Sequence, residues 1–453
     1  MLVRIPGWLA RDGFTACLRE GLEDIETKFF IPKHGFVKER IQVKRERITN
    51  RAFGTLLRGF MSIYSESPSS YQWFTLVLRE LADELRPLES GLRRIRDPYS
   101  FYSDDEAVQE SSYQDYLARA QALGYSEEEA QFLFEHVLID TDIPDADHAE
   151  GLFTTALNTE FPEYTDFSAK LHREIFNRTK LLVQSRKNQE ISRRDIEQTI
   201  RSVIPVAQQP PQRSIHLHTI GVVEKLPPPA IHFEWEAFFG GQSREYPPMA
   251  QWNESLLPQL QATKDWLLNY RRTEGTPISL SLTGSRRLSA ALAIGFTFPA
   301  VAGFTIEMNH RGQIWATNSF EAYDNDQYPI TTRYVDMPSD GLVVSISIPN
   351  QDITLNVEQF IAAHSTEALA RLHIKGERTI QSSRQANTAV NNIKQAILQA
   401  LARGHYQNIH LFFAGPSFLA LFLGHRLNAT ANIQCYEHIS SSLYVPTCTL
   451  IAR

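Results

Sequence analysis

Cysteine is scarce in this chain. Cys17, Cys435 and Cys448 are spread over 453 positions, too few and too far apart for a disulfide framework or a metal-ligand spacing. A reducing compartment follows. Long apolar runs are also missing. No stretch approaches the ~18 consecutive apolar residues that a membrane span requires, and the first residues lack the apolar core and small-residue cleavage site of a secretory signal. A cytoplasmic protein without membrane contact is expected. The fourteen histidines are scattered. His216 and His218 alternate on an expected strand, but no third ligand stands near them. The three-glycine dinucleotide fingerprint is absent too.

What is present is a folded protein's composition, 42% hydrophobic and 21% charged. The length implies two or three domains. The net charge of −7 is unevenly spread. Residues 33–58 hold eight Lys/Arg against Glu39 and Glu46, whereas residues 104–150 hold fourteen Asp/Glu against Arg119. So acidic a chain does not attract nucleic acid in bulk, yet one basic face could still hold phosphates. Solvated helix faces of opposite sign are the plainer explanation of such runs.

A proline- and glutamine-rich break at 205–213 separates two textures. Before it the apolar spacing predicts helices over 9–18, 52–64, 71–85, 111–123, 126–137 and 168–185. Ser126 and Glu129 have the spacing of a capping box. Segments 22–32 and 36–44 look extended, joined by a turn at Lys33-His34-Gly35. After the break, helix and strand alternate as in doubly wound folds. The implied organisation is a helix-rich domain over 1–204, a linker over 205–213 and an α/β domain over 214–453.

The second half repeats itself. Residues 262–295 and 392–424 each read as helix, short apolar strand, small-Gly-small turn, and a Leu/Ala helix ending in glycine. Leu280, Leu282 and Gly284 match Leu411, Phe413 and Gly415 at one offset. Two pseudo-repeats, about 214–350 and 351–453, are expected. A glycine turn between strand and helix lets the backbone approach a ligand, and the helix then presents free amides and its positive dipole end. An anion is the natural guest. The first turn offers Thr283, Gly284, Ser285, Arg286 and Arg287. The second offers Gly415, Pro416, Ser417 and Phe418. Tyr436 is a candidate stacking face for a nucleobase.

The run Phe412-Phe-Ala-Gly-Pro-Ser-Phe-Leu-Ala-Leu421, with Gly424-His-Arg-Leu-Asn428, Ile433-Gln-Cys-Tyr-Glu437, Tyr444 and Thr449-Leu450, resembles the C-terminal motif of SAVED domains. These are cyclic-oligonucleotide sensors of bacterial CBASS antiphage systems, similar to two fused CARF-type Rossmann-like units. The resemblance covers about residue 214 to the end. It implies an activating cyclic di- or trinucleotide, with a trinucleotide favoured, and a ligand-induced homo-oligomer.

In the first domain, alternation puts Asp24 and Glu26 on one face of the first extended segment. It puts Gln42 and Lys44 on one face of the second. A carboxylate opposite Gln-x-Lys resembles the core of PD-(D/E)XK nucleases, over about residues 12–60. SAVED modules are often fused to restriction-like nucleases whose motif ends this way. The resemblance implies Asp24, Gln42 and Glu20 as ligands of Mg²⁺, with Lys44 orienting the attacking water and double-stranded DNA as substrate. Asp24, Gln42 and Lys44 are then the catalytic set, beside a basic run suited to a phosphate backbone. Gln42 stands where the family usually has Glu. Two other readings stay open: a solvated hairpin in a non-enzymatic, nucleotide-sensing regulator, and a modification-dependent restriction enzyme whose second domain reads DNA.

Overall fold

The structure, a computed structural model, describes residues 1–20, 24–96, 106–141, 146–220, 229–241, 245–272, 276–283, 287–319, 327–349, 351–364, 369–404, 406–428, 430–440 and 443–452. The chain forms two compact units. One is Met1–Gln212 with Val223–Ala230, and the other is Arg213–Val222 with Ile231–Arg453. Among the described residues no helix is long and apolar enough to cross a membrane.

The first unit is built on β1 (Phe14–Glu20), β2 (Asp24–Ile31), β3 (Gly35–Ile48), β4 (Tyr71–Leu81), β5 (Val137–Asp140) and β6 (Glu190–Ser192). They form one sheet in the order β5-β4-β3-β2-β1-β6. The β2–β3 turn falls where the sequence places it, with Gly35 at φ +73°, a value glycine adopts without strain. Two helical layers flank the sheet. One face buries Phe14, Phe29, Val37 and Ile41 under Phe153, Ile175 and Ile196, which sit on helices Ala149–Glu160, Ala169–Ser185 and Arg193–Val203. The other face buries Phe74, Leu76 and Leu78 of β4 under Phe53, Leu92, Tyr116 and Leu133. That second cluster draws on β4, β5 and Ile48 at the far end of β3, and the facing side chains of β2 and mid-β3 are polar.

Two expected helices are strands. Residues 71–81 form β4, parallel to β3, because Trp73–Leu78, apolar but for Thr75, is buried on both sides of the sheet. Such a run satisfies helical spacing trivially, so periodicity cannot separate the two states. Residues 9–18 split into the end of helix Ile5–Ala10 and the start of β1, whose pairing with β2 outweighs local spacing. The capping box of Ser126 and Glu129 is formed in both directions.

The second unit has two sheets. In the first, β7 (Ile215–His218), β8 (Ile231–His232), β9 (Ile278–Thr283), β10 (Phe304–His310) and β11 (Gln313–Ala316) are ordered β11-β10-β9-β7-β8. In the second, β12 (Thr331–Val335), β13 (Gly341–Ser347), β14 (Ala370–Lys375), β15 (Asn408–Ala414), β16 (Asn432–Ser440) and β17 (Leu443–Leu450) are ordered β12-β14-β13-β15-β16-β17. Residues 331–347, assigned by the sequence to the first repeat, therefore supply strands of the second sheet. The expected break at 350 moves to between Ala316 and Thr331. The apolar run of β13 is buried on both faces and pairs with β14 and β15, and sequence spacing alone does not say which sheet it joins.

Each half carries the same series of elements. Helix Leu257–Tyr270, β9, helix Leu288–Thr297 and the β10–β11 hairpin correspond to helix Ser383–Gly404, β15, helix Ser417–Leu427 and the β16–β17 hairpin. Helices Leu288–Thr297 and Ser417–Leu427 are buried along nearly their whole length and cross at the glycines that close the two repeats. A Cβ on Gly295 would meet Leu421 O at 2.0 Å, and one on Gly424 would meet Leu292 O at 2.1 Å. The contacts are reciprocal, as a local pseudo-twofold requires.

Candidate functional sites

In the first unit the β2–β3 register places Asp24 opposite Gln42 and Glu26 opposite Arg40, while β1 places Glu20 opposite Asp24. Strand alternation then adds Lys38 and Lys44 to the same face. Glu20, Asp24 and Gln42 thus form one row across three strands, with Lys44 two residues beyond Gln42. Opposite-face neighbours Ile25 and Ile41 are buried and anchor the hairpin. The four residues predicted for this site come together.

Arg40, which the sequence grouped with the basic run, lies among the carboxylates. Its Nη1 is 2.8 Å from Glu20 Oε2 and 3.0 Å from Glu26 Oε1, and its Nη2 is 3.1 Å from Asp24 Oδ2. Glu26 is 6% exposed. It also accepts from Tyr71 Oη at 2.6 Å and Lys38 Nζ at 3.0 Å. Burial alone would raise its pKa, but the hydrogen bonds from Tyr71 and Lys38, with the charges of Lys38 and Arg40, outweigh that and lower it. Both Glu26 oxygens are therefore engaged. Asp24 differs: its Oδ1 is shut from solvent with no hydrogen-bond partner among the described residues. An orphaned carboxylate oxygen on a residue paired across the sheet with a glutamine and a second carboxylate is oxygen-donor chemistry that suits Mg²⁺. Even so, among the described residues no group of three or more His, Cys, Asp or Glu is arranged to hold a metal ion, and Arg40 is paired with the carboxylates that are there. Alternation along β3 could have revealed Arg40, since it shares the face of Gln42 and Lys44.

In the second unit Gly284, Ser285 and Arg286 lie outside the described residues. The flanking residues show what surrounds their turn. Thr283 ends β9 with its Oγ1 2.9 Å from His218 Nδ1 at the end of β7. Arg287 stacks over Tyr246, 4.2 Å from the ring centroid, and over Phe239 at 5.1 Å. The amide of the helix's second residue is already satisfied, since Ser289 N donates to Glu437 Oε1 at 2.7 Å. Burial pushes the Glu437 carboxyl above its ordinary range, opposed by the Ser289 hydrogen bonds and the Arg287 charge. The expectation of an open anion seat at this helix end needs correcting here. A carboxylate of this chain, from a strand 148 residues away, occupies part of it.

At the second turn Pro416 precedes the first helical residue, Ser417. Gly415 is needed for space, because a Cβ there would lie 3.0 Å from Ile348 O. Phe418 is 4% exposed, its ring 4.5 Å from Trp315 and 4.8 Å from His310. It is held beneath the β10–β11 hairpin. Tyr436 stacks on Phe412 at 4.3 Å, and its hydroxyl lies 3.0 Å from His410 Nδ1. That aromatic cluster with Phe360 and Tyr444 already engages the ring proposed for a base. A hairpin from one half thus closes over the helix start of the other, in both directions. Each helix begins seven residues before its crossing glycine, so both starts lie about 10 Å from the crossing. A cavity of about 700 Å³ lies at the helices' other ends, lined by Phe296, Thr297, Asn428 and Thr449. Helix C-termini disfavour anions, and this cavity is no counterpart of the turns.

Residues 259–450 match the model of the SAVED family, the SMODS-associated and fused to various effectors sensor domain. The whole chain is similar to CD-NTase-associated protein 4 of Moraxella osloensis, 25% identical over 99% of this chain and 94% of the relative. It is 24% identical to the protein of the same name from an Acinetobacter species, with the same coverage. Among solved structures, the Acinetobacter baumannii Cap4 SAVED/CARF-domain containing receptor with the cyclic trinucleotide 2'3'3'-cAAA superposes with a TM-score of 0.83 at 22% identity, covering 99% of this chain and 96% of that one. The Moraxella osloensis Cap4 receptor gives 0.77 at 21% identity, covering 99% and 97%. The chain therefore has the fold of these receptors from end to end, and its residues 259–450 match the SAVED family model.

Proposed function

We propose that this protein is a cytoplasmic effector of bacterial CBASS antiphage defence. A cyclic oligonucleotide, of trinucleotide size as in the solved receptors, binds the second unit and drives homo-oligomer formation. The first unit then cuts double-stranded DNA with Mg²⁺. The observation that carries the reading is the cross-strand pairing of Asp24 with Gln42, with Lys44 on the same face, in a chain similar throughout to receptors solved with cyclic triadenylates.

Asp24, the Gln42 amide oxygen and Glu20 would hold the metal. When bound it supplies Lewis acidity and a more acidic water. Lys44 orients that water and offsets charge gathering on the phosphoryl group. The basic side chains Lys38 and Lys44 on the face of the row hold the DNA backbone. In the second unit Arg287 and the amides and hydroxyl at Ser417 are the groups that meet the messenger's phosphates. Gly284, Ser285 and Arg286 are proposed to complete the first turn.

The test is plasmid cleavage by purified protein against a panel of cyclic oligonucleotides, with particle mass followed in parallel. Cutting should need both messenger and Mg²⁺. Cutting without messenger would refute the activation scheme. A non-cutting regulator has one observation in its favour, the pairing of Glu20, Asp24 and Glu26 with Arg40. Messenger binding without any metal binding would decide for it.

A further inference from the structure

We infer that Arg40 is a built-in counter-ion that competes with the divalent metal for Asp24 and Glu20, and so sets the metal affinity of the nuclease site. The inference rests on the proposed metal role of Asp24.

Its guanidinium touches all three carboxylates of the row and its neighbour, at 2.8, 3.1 and 3.0 Å. The contacts are not equivalent. Glu26 is buried, held by Lys38 and Tyr71, and it accepts from Arg40 Nη1, the same nitrogen that meets Glu20. Glu20 and Asp24 have side-chain exposures of 47% and 31% and are the ligands a metal would use. Asp24 gives one oxygen to Arg40 and leaves the other without a partner. A guanidinium's planar fork suits bridging carboxylates in this way and cannot be deprotonated. It therefore lowers the negative potential at the row at every pH where protein is folded. A divalent cation entering between Glu20 and Asp24 must displace Nη1 and Nη2 from them or accept like-charge repulsion at close range. Nη1 can give up Glu20 and still keep Glu26, which holds Arg40 beside the site. A resting site that binds metal weakly would keep a DNA-cutting domain from being competent without its trigger.

The experiment is Mn²⁺ binding to the full chain, without DNA or messenger, read by the electron paramagnetic resonance of free Mn²⁺. Arg40→Gln should bind Mn²⁺ at least tenfold more tightly than the unaltered protein, Arg40→Lys should fall between, and Asp24→Asn should remove binding in either background. A second readout is thermal: Mn²⁺ should raise the melting temperature of Arg40→Gln more than that of the unaltered protein. Equal affinity in Arg40→Gln and the unaltered protein, with Asp24→Asn still abolishing binding, overturns the inference and leaves the nuclease reading intact. Absence of Mn²⁺ binding from both overturns the metal site itself and the inference with it. Should Arg40→Gln not fold, Arg40→Lys alone decides, with unchanged affinity counting against.

Discussion

The helix crossing in the second unit can be tested by adding a single methyl group. A Cβ on Gly295 would sit 2.0 Å from Leu421 O and 2.7 Å from His425 N, and one on Gly424 would sit 2.1 Å from Leu292 O and 2.9 Å from Phe296 N. Carbon needs about 3.5 Å, so the helices must part by roughly 1.5 Å. The obstacle is backbone, which no rotamer change relieves. Overpacking costs about 1–3 kcal/mol, and a backbone clash puts this case near ~3 kcal/mol. Replacing glycine within a helix returns about 0.5–1 kcal/mol. The net loss is ~2 kcal/mol, a fall in melting temperature of roughly 4–8 °C for a unit of this size. The assay is thermal unfolding of Gly295→Ala and Gly424→Ala, with Gly151→Ala as control because no atom lies within 4 Å of its added Cβ. The control should match or exceed the unaltered protein. Both crossing variants melting within a degree of it would refute the close approach and the pseudo-twofold argued from it.

Other outcomes can be stated briefly. Lys44→Ala should cut cleavage about 100-fold or more while leaving messenger affinity unchanged; equal cleavage would remove Lys44 from the mechanism. Tyr71→Phe takes a donor from Glu26, whose lowered pKa gives stability that is present above its unfolded value and lost as pH falls through the folded one. The acid-unfolding midpoint should therefore move to higher pH, and an unmoved midpoint would show that the hydrogen bond is unimportant. Burial brings His425 down to about 4, so its contribution is complete above 6.5 and lost as pH falls from there toward 4. Denaturant titrations at pH 7 and pH 5 should show that loss, and His425→Asn should reduce it.

The sequence is most legible where function depends on neighbours along one strand or one turn. Alternation puts Asp24 and Glu26 on one face of β2 and Gln42 and Lys44 on one face of β3, and the β2–β3 register sets the two faces side by side. The strand-turn-helix units were visible because each is local, and the glycines that end them mark the crossing. Legibility failed where two unrelated segments decide the matter. The apolar run 73–78 is a strand because helices cover both faces of its sheet, and nothing within the run says so. β13 joins the second sheet through partners distant in sequence.

Charge is the harder case, because sequence shows a residue's sign and conceals its partner. Arg40 was counted with a basic surface, yet its partners are Glu20, Asp24 and Glu26. Glu437 was one letter in a motif, yet it fills the helix start that the other half's glycine turn was expected to keep free. The two errors have one physical root. Dipole ends and carboxylate rows are costly to leave unpaired in a folded protein, so the chain supplies an opposite charge from elsewhere when no ligand is there. A ligand-ready charged site in a resting protein is therefore best sought where an internal group already stands in for the ligand. By that argument the two helix starts of the second unit are chemically unequal. The first holds a carboxylate against its helix amide and an arginine stacked on aromatic rings, so an incoming phosphate must contend with Glu437 there. At the second, the contacts are ring packing of Phe418 against His310 and Trp315, and among the described residues no carboxylate is hydrogen-bonded to the helix start as Glu437 is at the first.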